Sequence, residues 1–133
     1  MKRLILSCVV VFVLVFFYEW IFHGLVLKDM YLQTASFWRP EEEMFTYFPW
    51  LTFGQFSFAI LFCILYARSK PQGGVMDGLR YGILMGLFAS STYYIWYAVS
   101  PYPLTLIAAW VVGETLVFVL AGAVLGFMYR NKH

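Results

Sequence analysis

The chain has 133 residues, 62% of them hydrophobic and 12% charged, with a formal net charge of +2. A soluble domain of this length needs far more charge to cover its surface, so the composition excludes one. A charge this small, with no basic cluster in the sequence, also excludes nucleic acid as a partner.

The apolar residues come in long runs, as in an integral membrane protein. The first run, about 4–27, can cross a bilayer with some tilt. Lys2 and Arg3 before it imitate a secretory signal. The run exceeds a signal h-region, however, and no small-residue cleavage site follows, so it reads as an uncleaved helix. Its second half carries Glu19 and His23, four residues apart and therefore on one helix face. A carboxylate inside an apolar span faces the protein interior or a water-filled cavity. Cys8 and Cys63 would each lie about 6 Å from the cytoplasmic end of their spans. They read as small buried hydrophobes rather than as a disulfide.

Residues 28–48 form an outer connecting segment rich in aromatics, among them Tyr31, Phe37, Trp38, Phe45, Tyr47 and Phe48, which suit the headgroup layer. Arg39-Pro40-Glu41-Glu42-Glu43 predicts a short extra helix from about Pro40. Proline fits the first helical position, and the carboxylates complement the helix dipole. Arg39 either pairs with Glu41 to Glu43 or holds an anionic lipid or ligand. Tyr31, Trp38, Arg39 and Glu43 together are candidates for docking a partner.

A second span is predicted over about 49–67, with Pro49 either beginning or kinking it and Gln55 as its main polar residue. A basic, breaker-rich loop follows from Arg68 to Gly74, and Asp77 is a candidate cap for the next helix. The third span, about 78–99, carries Gly78, Gly82 and Gly86 at intervals of four, a smooth stripe for close helix approach. Its outer half is polar and aromatic, from Ser90 to Tyr97. The short turn Ser100-Pro101-Tyr102-Pro103 predicts that the third and fourth spans are antiparallel neighbours. The fourth span, about 104–129, has Glu114 near its middle and a second small-residue repeat at Gly122 and Gly126.

Lys2, Arg3, Arg68, Lys70, Arg80, Arg130 and Lys132 fall on one side of these spans. Lys28 and Arg39 face Asp29 and three glutamates on the other. By the positive-inside rule both termini are cytoplasmic. The expected architecture is an all-α integral membrane four-helix bundle forming one domain over 1–133, with a short extra helix in the first outer segment.

At 1.5 Å per residue, Glu19 lies about 12 Å, His23 about 6 Å, Gln55 about 9 Å and Glu114 about 15 Å below the outer ends of their spans, with Tyr93 and Tyr94 at similar depth. These six residues would form one polar pocket in the outer half. A continuous pore needs polar groups along the whole path, so a channel is not expected. Glu19, His23 and Glu114 would suit a divalent metal. The Glu-x-x-His repeat of di-iron bundles is missing, and His133 is terminal. No nucleophile-with-base pattern, phosphate loop or zinc motif is present, so no catalytic residue is assigned and no cofactor beyond that metal is expected. The bland alternative is that Glu19 bonds to Tyr93, Tyr94 or Gln55, that His23 bonds to a carbonyl, and that Glu114 is held by Ser or Thr of the third span or by a partner subunit.

Glu19, His23-Gly24, Tyr31, Thr34, Trp38-Arg39-Pro40 and Glu43-Met44 share a pattern with a known family. So do Gly78-Leu79-Arg80-Tyr81-Gly82, Tyr97-Ala98-Val99, Pro101, Pro103 and Trp110. The chain resembles a family of small bacterial four-span inner-membrane proteins over nearly its whole length, with Trp-Arg-Pro-x-x-Glu-Met its most specific stretch. The resemblance implies this architecture and a bacterial inner-membrane setting, and no activity. The expected role is a non-catalytic accessory or structural subunit of a larger membrane assembly, or a homo-oligomer, embedded in lipid. The alternative is a membrane protein that binds a small ligand, proton or metal in the outer pocket.

Overall fold

The computed structural model describes residues 1–69 and 71–130. Lys70, Lys132 and His133, used above for charge placement and ligand counting, lie outside the described residues. The described chain is helical throughout, with no strand among the described residues. Helix α1 is Lys2–Ile21, α2 is Lys28–Gln33, α3 is Met44–Arg68, α4 is Val75–Val99 and α5 is Leu104–Tyr129. Three stretches are long and apolar enough to cross a membrane: Lys2–Val26, Ala35–Arg68 and Leu104–Tyr129. This is the architecture of a multi-pass membrane protein. Helix α4 is as long as α3, at 25 residues. It falls outside that group, its apolar character diluted by Asp77, Arg80 and the Ser-Ser-Thr run.

Both ends of the described chain meet at one pole, where the Arg3 guanidinium lies over the Tyr129 ring at 5.5 Å. The loop between α3 and α4 reaches the same pole, since the Gly74 N–H donates to the Gly126 carbonyl at 3.0 Å. This pole is called the terminal end below, and the opposite pole the far end.

Helix α5 packs against α4 over its length and also against α1, and α1 packs against α3. The α4–α5 seam follows directly from the glycines. Gly78, Gly82, Gly86 and Ser90 are all buried along one face of α4. A methyl group on Gly78 would run into the Gly122 carbonyl, and one on Gly122 into the Gly78 carbonyl. Backbone thus lies on backbone, as small-residue repeats allow. Ser90 continues the row and shares a hydrogen bond with Thr115 at 3.1 Å.

The core of the terminal half gathers Val11 and Val15 from α1, Ala59, Phe62, Cys63 and Tyr66 from α3, and Val117, Phe118, Ala121 and Leu125 from α5. Helix α4 joins it through Tyr81, whose hydroxyl donates to the Phe62 carbonyl at 2.8 Å and whose ring lies 4.7 Å from that of Phe62. Cys63 is buried, Cys8 is half-buried, and both are free thiols.

Three local expectations need correction. The second span does not begin at Pro49. A 3-10 turn over Glu41–Glu43 runs straight into α3 at Met44, with Pro49 inside the helix. As the sixth helical residue, the proline lies past the unsatisfied first-turn donors, so the helix does without a bond to the Phe45 carbonyl there. Asp77 does not cap α4. Gly74, with φ 106°, is the cap residue, and Asp77 sits within the first turn with no capping bond. The helix can start earlier because glycine reaches that backbone conformation freely. The first span also does not end as a plain α-helix. It widens into a π-turn over Phe22–Val26, where the Leu27 N–H reaches the Phe22 carbonyl at 2.9 Å.

Candidate functional site: a polar chain beside an apolar cavity

The π-turn carries His23, and α2 folds back over it. Glu19 Oε2 lies 2.8 Å from His23 Nε2. His23 Nδ1 is hydrogen-bonded to the Tyr31 hydroxyl. The Trp110 indole N–H donates to that same hydroxyl oxygen at 2.8 Å. The indole can only donate, so the Tyr31 oxygen accepts from it. In the neutral tautomer with the ring proton on Nε2, the Tyr31 hydroxyl donates to Nδ1 and the His23 Nε2–H donates to Glu19. Trp110, Tyr31, His23 and Glu19 thus form one chain from α5 through α2 to α1. Burial pushes the Tyr31 hydroxyl up to about 12, the Trp110 donor opposing and the Glu19 carboxylate adding to the effect. Tyr31 therefore keeps its proton at any ordinary pH.

A lid of rings holds α2 in place. The Trp38 ring stacks on Tyr102 at 5.7 Å and meets Tyr31 edge-on at 5.2 Å and Trp110 at 5.9 Å. Its indole N–H donates to the Thr34 hydroxyl at 2.9 Å, and that hydroxyl donates to the Met30 carbonyl at 2.8 Å. Below the lid, α1 is fastened to α5 at Gly113. The Tyr18 hydroxyl donates to the Gly113 carbonyl at 2.8 Å. The Phe22 ring occupies the space where a side chain at Gly113 would stand.

Beside this chain opens a cavity of about 940 Å³ between α1, α3 and α5. Glu19, His23, Tyr31, Gln55 and Glu114 reach it. Much of its wall is the α3 face, Phe48, Leu51, Gln55 and Phe58, spaced three or four apart. One turn further down, the same face is the buried core at Ala59, Phe62 and Tyr66. Gly24 and Gly54 also line the cavity, and a methyl group on either would touch nothing within 4 Å. The Gln55 Oε1 atom is buried without a hydrogen-bond partner among the described residues.

Of the six residues expected in an outer pocket, Glu19, His23, Gln55 and Glu114 line the cavity. Tyr93 stands behind Glu114, donating to its Oε2 at 3.3 Å. Tyr94 does not belong to the pocket. It is exposed, because a neighbour in sequence on a helix points about 100° away from Tyr93. Glu19 bonds to His23 rather than to a tyrosine or Gln55, His23 to side chains rather than a carbonyl, and Glu114 to Tyr93 rather than to Ser or Thr. Both His23 nitrogens are committed, to Glu19 and to Tyr31. Among the described residues, no group of three or more His, Cys, Asp or Glu side chains is placed to hold a metal.

The four residues expected to dock a partner separate into two pairs. Tyr31 and Trp38 turn inward into the lid. Arg39 and Glu43 stay half-exposed and pair at 3.5 Å, and the Arg39 guanidinium rests over the Tyr47 ring at 3.7 Å. Trp110 and Tyr18 were not singled out as site residues from sequence. Trp110 had a signal, since it lies four residues before Glu114 and so shares its helix face. Tyr18 had none, because its partner is a backbone carbonyl 95 residues away. Comparison of the chain with protein-family models, with curated proteins and with solved structures yields no match.

Proposed function

We propose that the chain is a four-span helical bundle of the bacterial inner membrane, with both termini in the cytoplasm, and that its far-end cavity binds a small amphipathic ligand. The topology is supported by Lys2, Arg3, Arg68, Arg80 and Arg130 near the terminal end, against Asp29 and Glu41 to Glu43 at the other. The resemblance to small bacterial four-span proteins supports the membrane assigned. The observation that carries the binding function is the cavity itself. It is large, mostly apolar, and edged by a few convergent polar groups, the usual form of a small-molecule site.

Native mass spectrometry of protein released from mild detergent tests this reading. Wild type should carry a non-covalent adduct of lipid-like mass. Gly54→Leu, which places a branched side chain in the cavity where a methyl group would meet nothing within 4 Å, should lower its occupancy. Equal adduct occupancy in the two proteins would overturn the reading.

One observation favours a second reading, a non-catalytic subunit of a larger assembly. Helix α4 is the least apolar of the long helices and packs mainly on α5, leaving Ile83, Leu84, Leu87, Phe88 and Ile95 exposed. A neighbouring subunit would cover this face. Migration of the chain alone after gentle solubilisation of native membranes would remove that reading.

A further inference from the structure

The charge of the cavity indicates what kind of ligand it takes, and this step rests on the binding function proposed above. Three carboxylates reach the cavity: Glu19 and Glu114 inside it and Glu41 at its exposed rim. Among the described residues no lysine or arginine lines it. Its one basic side chain, His23, already spends both ring nitrogens on Glu19 and Tyr31. Among the described residues Glu114 accepts one side-chain hydrogen bond, from Tyr93, and makes no ion pair of its own. A carboxylate at this depth in an apolar span needs a countercharge or must give up its own charge. Gln55 also lines the cavity, and its carbonyl oxygen is buried with no hydrogen-bond partner among the described residues. The remaining wall is aromatic, with Phe16, Trp20, Phe45, Phe48 and Phe58 around the opening and sides. Ring faces attract cations, and more strongly where water is excluded.

We infer that the ligand is a lipophilic organic cation, its positive centre held between Glu114, Glu19 and the ring faces and its apolar body lying along α3. A hydrocarbon tail alone would leave the carboxylates against a surface that gives them nothing. An anion would face three carboxylates with no partner of opposite sign.

The test uses two permanent ions of the same shape and opposite charge. The full chain, in phosphatidylcholine nanodiscs, is titrated by equilibrium dialysis with tetraphenylphosphonium and with tetraphenylborate, and binding to empty nanodiscs is subtracted. The phosphonium should bind saturably, at least about tenfold more tightly than the borate. A Glu19→Gln, Glu114→Gln double variant with unchanged circular dichroism should bind the phosphonium about tenfold more weakly, and Gly54→Leu should bind neither ion. Borate binding equal to or tighter than phosphonium binding in wild type would overturn the assignment without relying on any variant. So would a double variant that binds the phosphonium as well as wild type. Should neither ion bind saturably while the lipid-like adduct still depends on Gly54, the cation assignment falls and the amphiphile reading stands. Should the adduct be missing as well, both fall.

Discussion

The two ends of the molecule use glycine for opposite purposes. At the terminal end, Gly78, Gly82, Gly122 and Gly126 bring two backbones together, and every added methyl would strike main chain. At the far end, Gly24 and Gly54 face open space. Helix α3 shows the same division along a single face. Its lower half closes on Val11, Val117 and Phe118, while Phe48, Leu51 and Gln55 of its upper half wall the cavity, with Phe48 edge-on to Phe16 of α1 at 6.3 Å. Two short contacts of that lower half, Phe62 with Tyr81 and Phe58 with Phe118, have ring centroids 4.7 Å apart. One end is therefore built for contact and the other for vacancy, and the carboxylates Glu19 and Glu114 sit beside the vacancy.

The strongest way to break this contrast is to disturb the contact end. Gly78→Ala places a methyl on the Gly122 carbonyl, and neither backbone can yield without parting the helices along the seam. Overpacking of this kind should cost about 3 kcal/mol or more. Thermal unfolding in detergent should show a marked fall in Tm, and a wild-type Tm would mean that the seam is loose.

The next largest effect lies in the polar chain at the far end. Tyr31→Phe removes the hydroxyl that both Trp110 and His23 use, leaving an indole N–H and a ring nitrogen unpaired. The loss should be about 1–3 kcal/mol. It should also release the His23 tautomer, read as movement of the Nδ1 and Nε2 resonances in a nitrogen-15 spectrum. Unmoved resonances would show that Tyr31 does not set the proton on His23.

These two sites also differ in how legible they were. The seam could be read from sequence because one helix carries its own periodicity. Gly78, Gly82 and Gly86 share a face wherever the helix lies, and the tight turn at Ser100 to Pro103 supplies the antiparallel partner. The pairing of Glu19 with His23 was legible for the same reason. The links from His23 to Tyr31 and from Tyr31 to Trp110 were not. They depend on a π-turn that changes the facing of His23, and on α2 folding back under the ring of Trp38. Neither leaves a periodic mark. The cavity was legible only as a polar layer. Depth along each helix places Gln55 level with Glu19, yet depth alone does not say how far α3 stands from α1 and α5 at that level.

A smaller effect is expected at the rim. Arg39→Ala removes a half-exposed ion pair with Glu43 and a cation resting on Tyr47. The change should be only about 0–1 kcal/mol, and smaller still at high salt. A larger, salt-insensitive loss would place Arg39 in the fold rather than on its surface.

The smallest expected change sharpens the contrast most. Gly54→Ala is the same substitution as Gly78→Ala, again within a long helix, but its methyl would meet nothing within 4 Å. Alanine loses less backbone freedom than glycine on entering a helix, so with no clash to oppose it the variant should gain about 0–1 kcal/mol. The paired measurement therefore has a sign as well as a size. Tm should fall for Gly78→Ala and hold or rise slightly for Gly54→Ala, measured side by side in one detergent. If both fell alike, α3 would have to lie closed on α1 at the far end. A cavity kept open by the missing side chain at Gly54 could not then exist, and with it would go the space in which Glu19, Gln55 and Glu114 could meet a ligand.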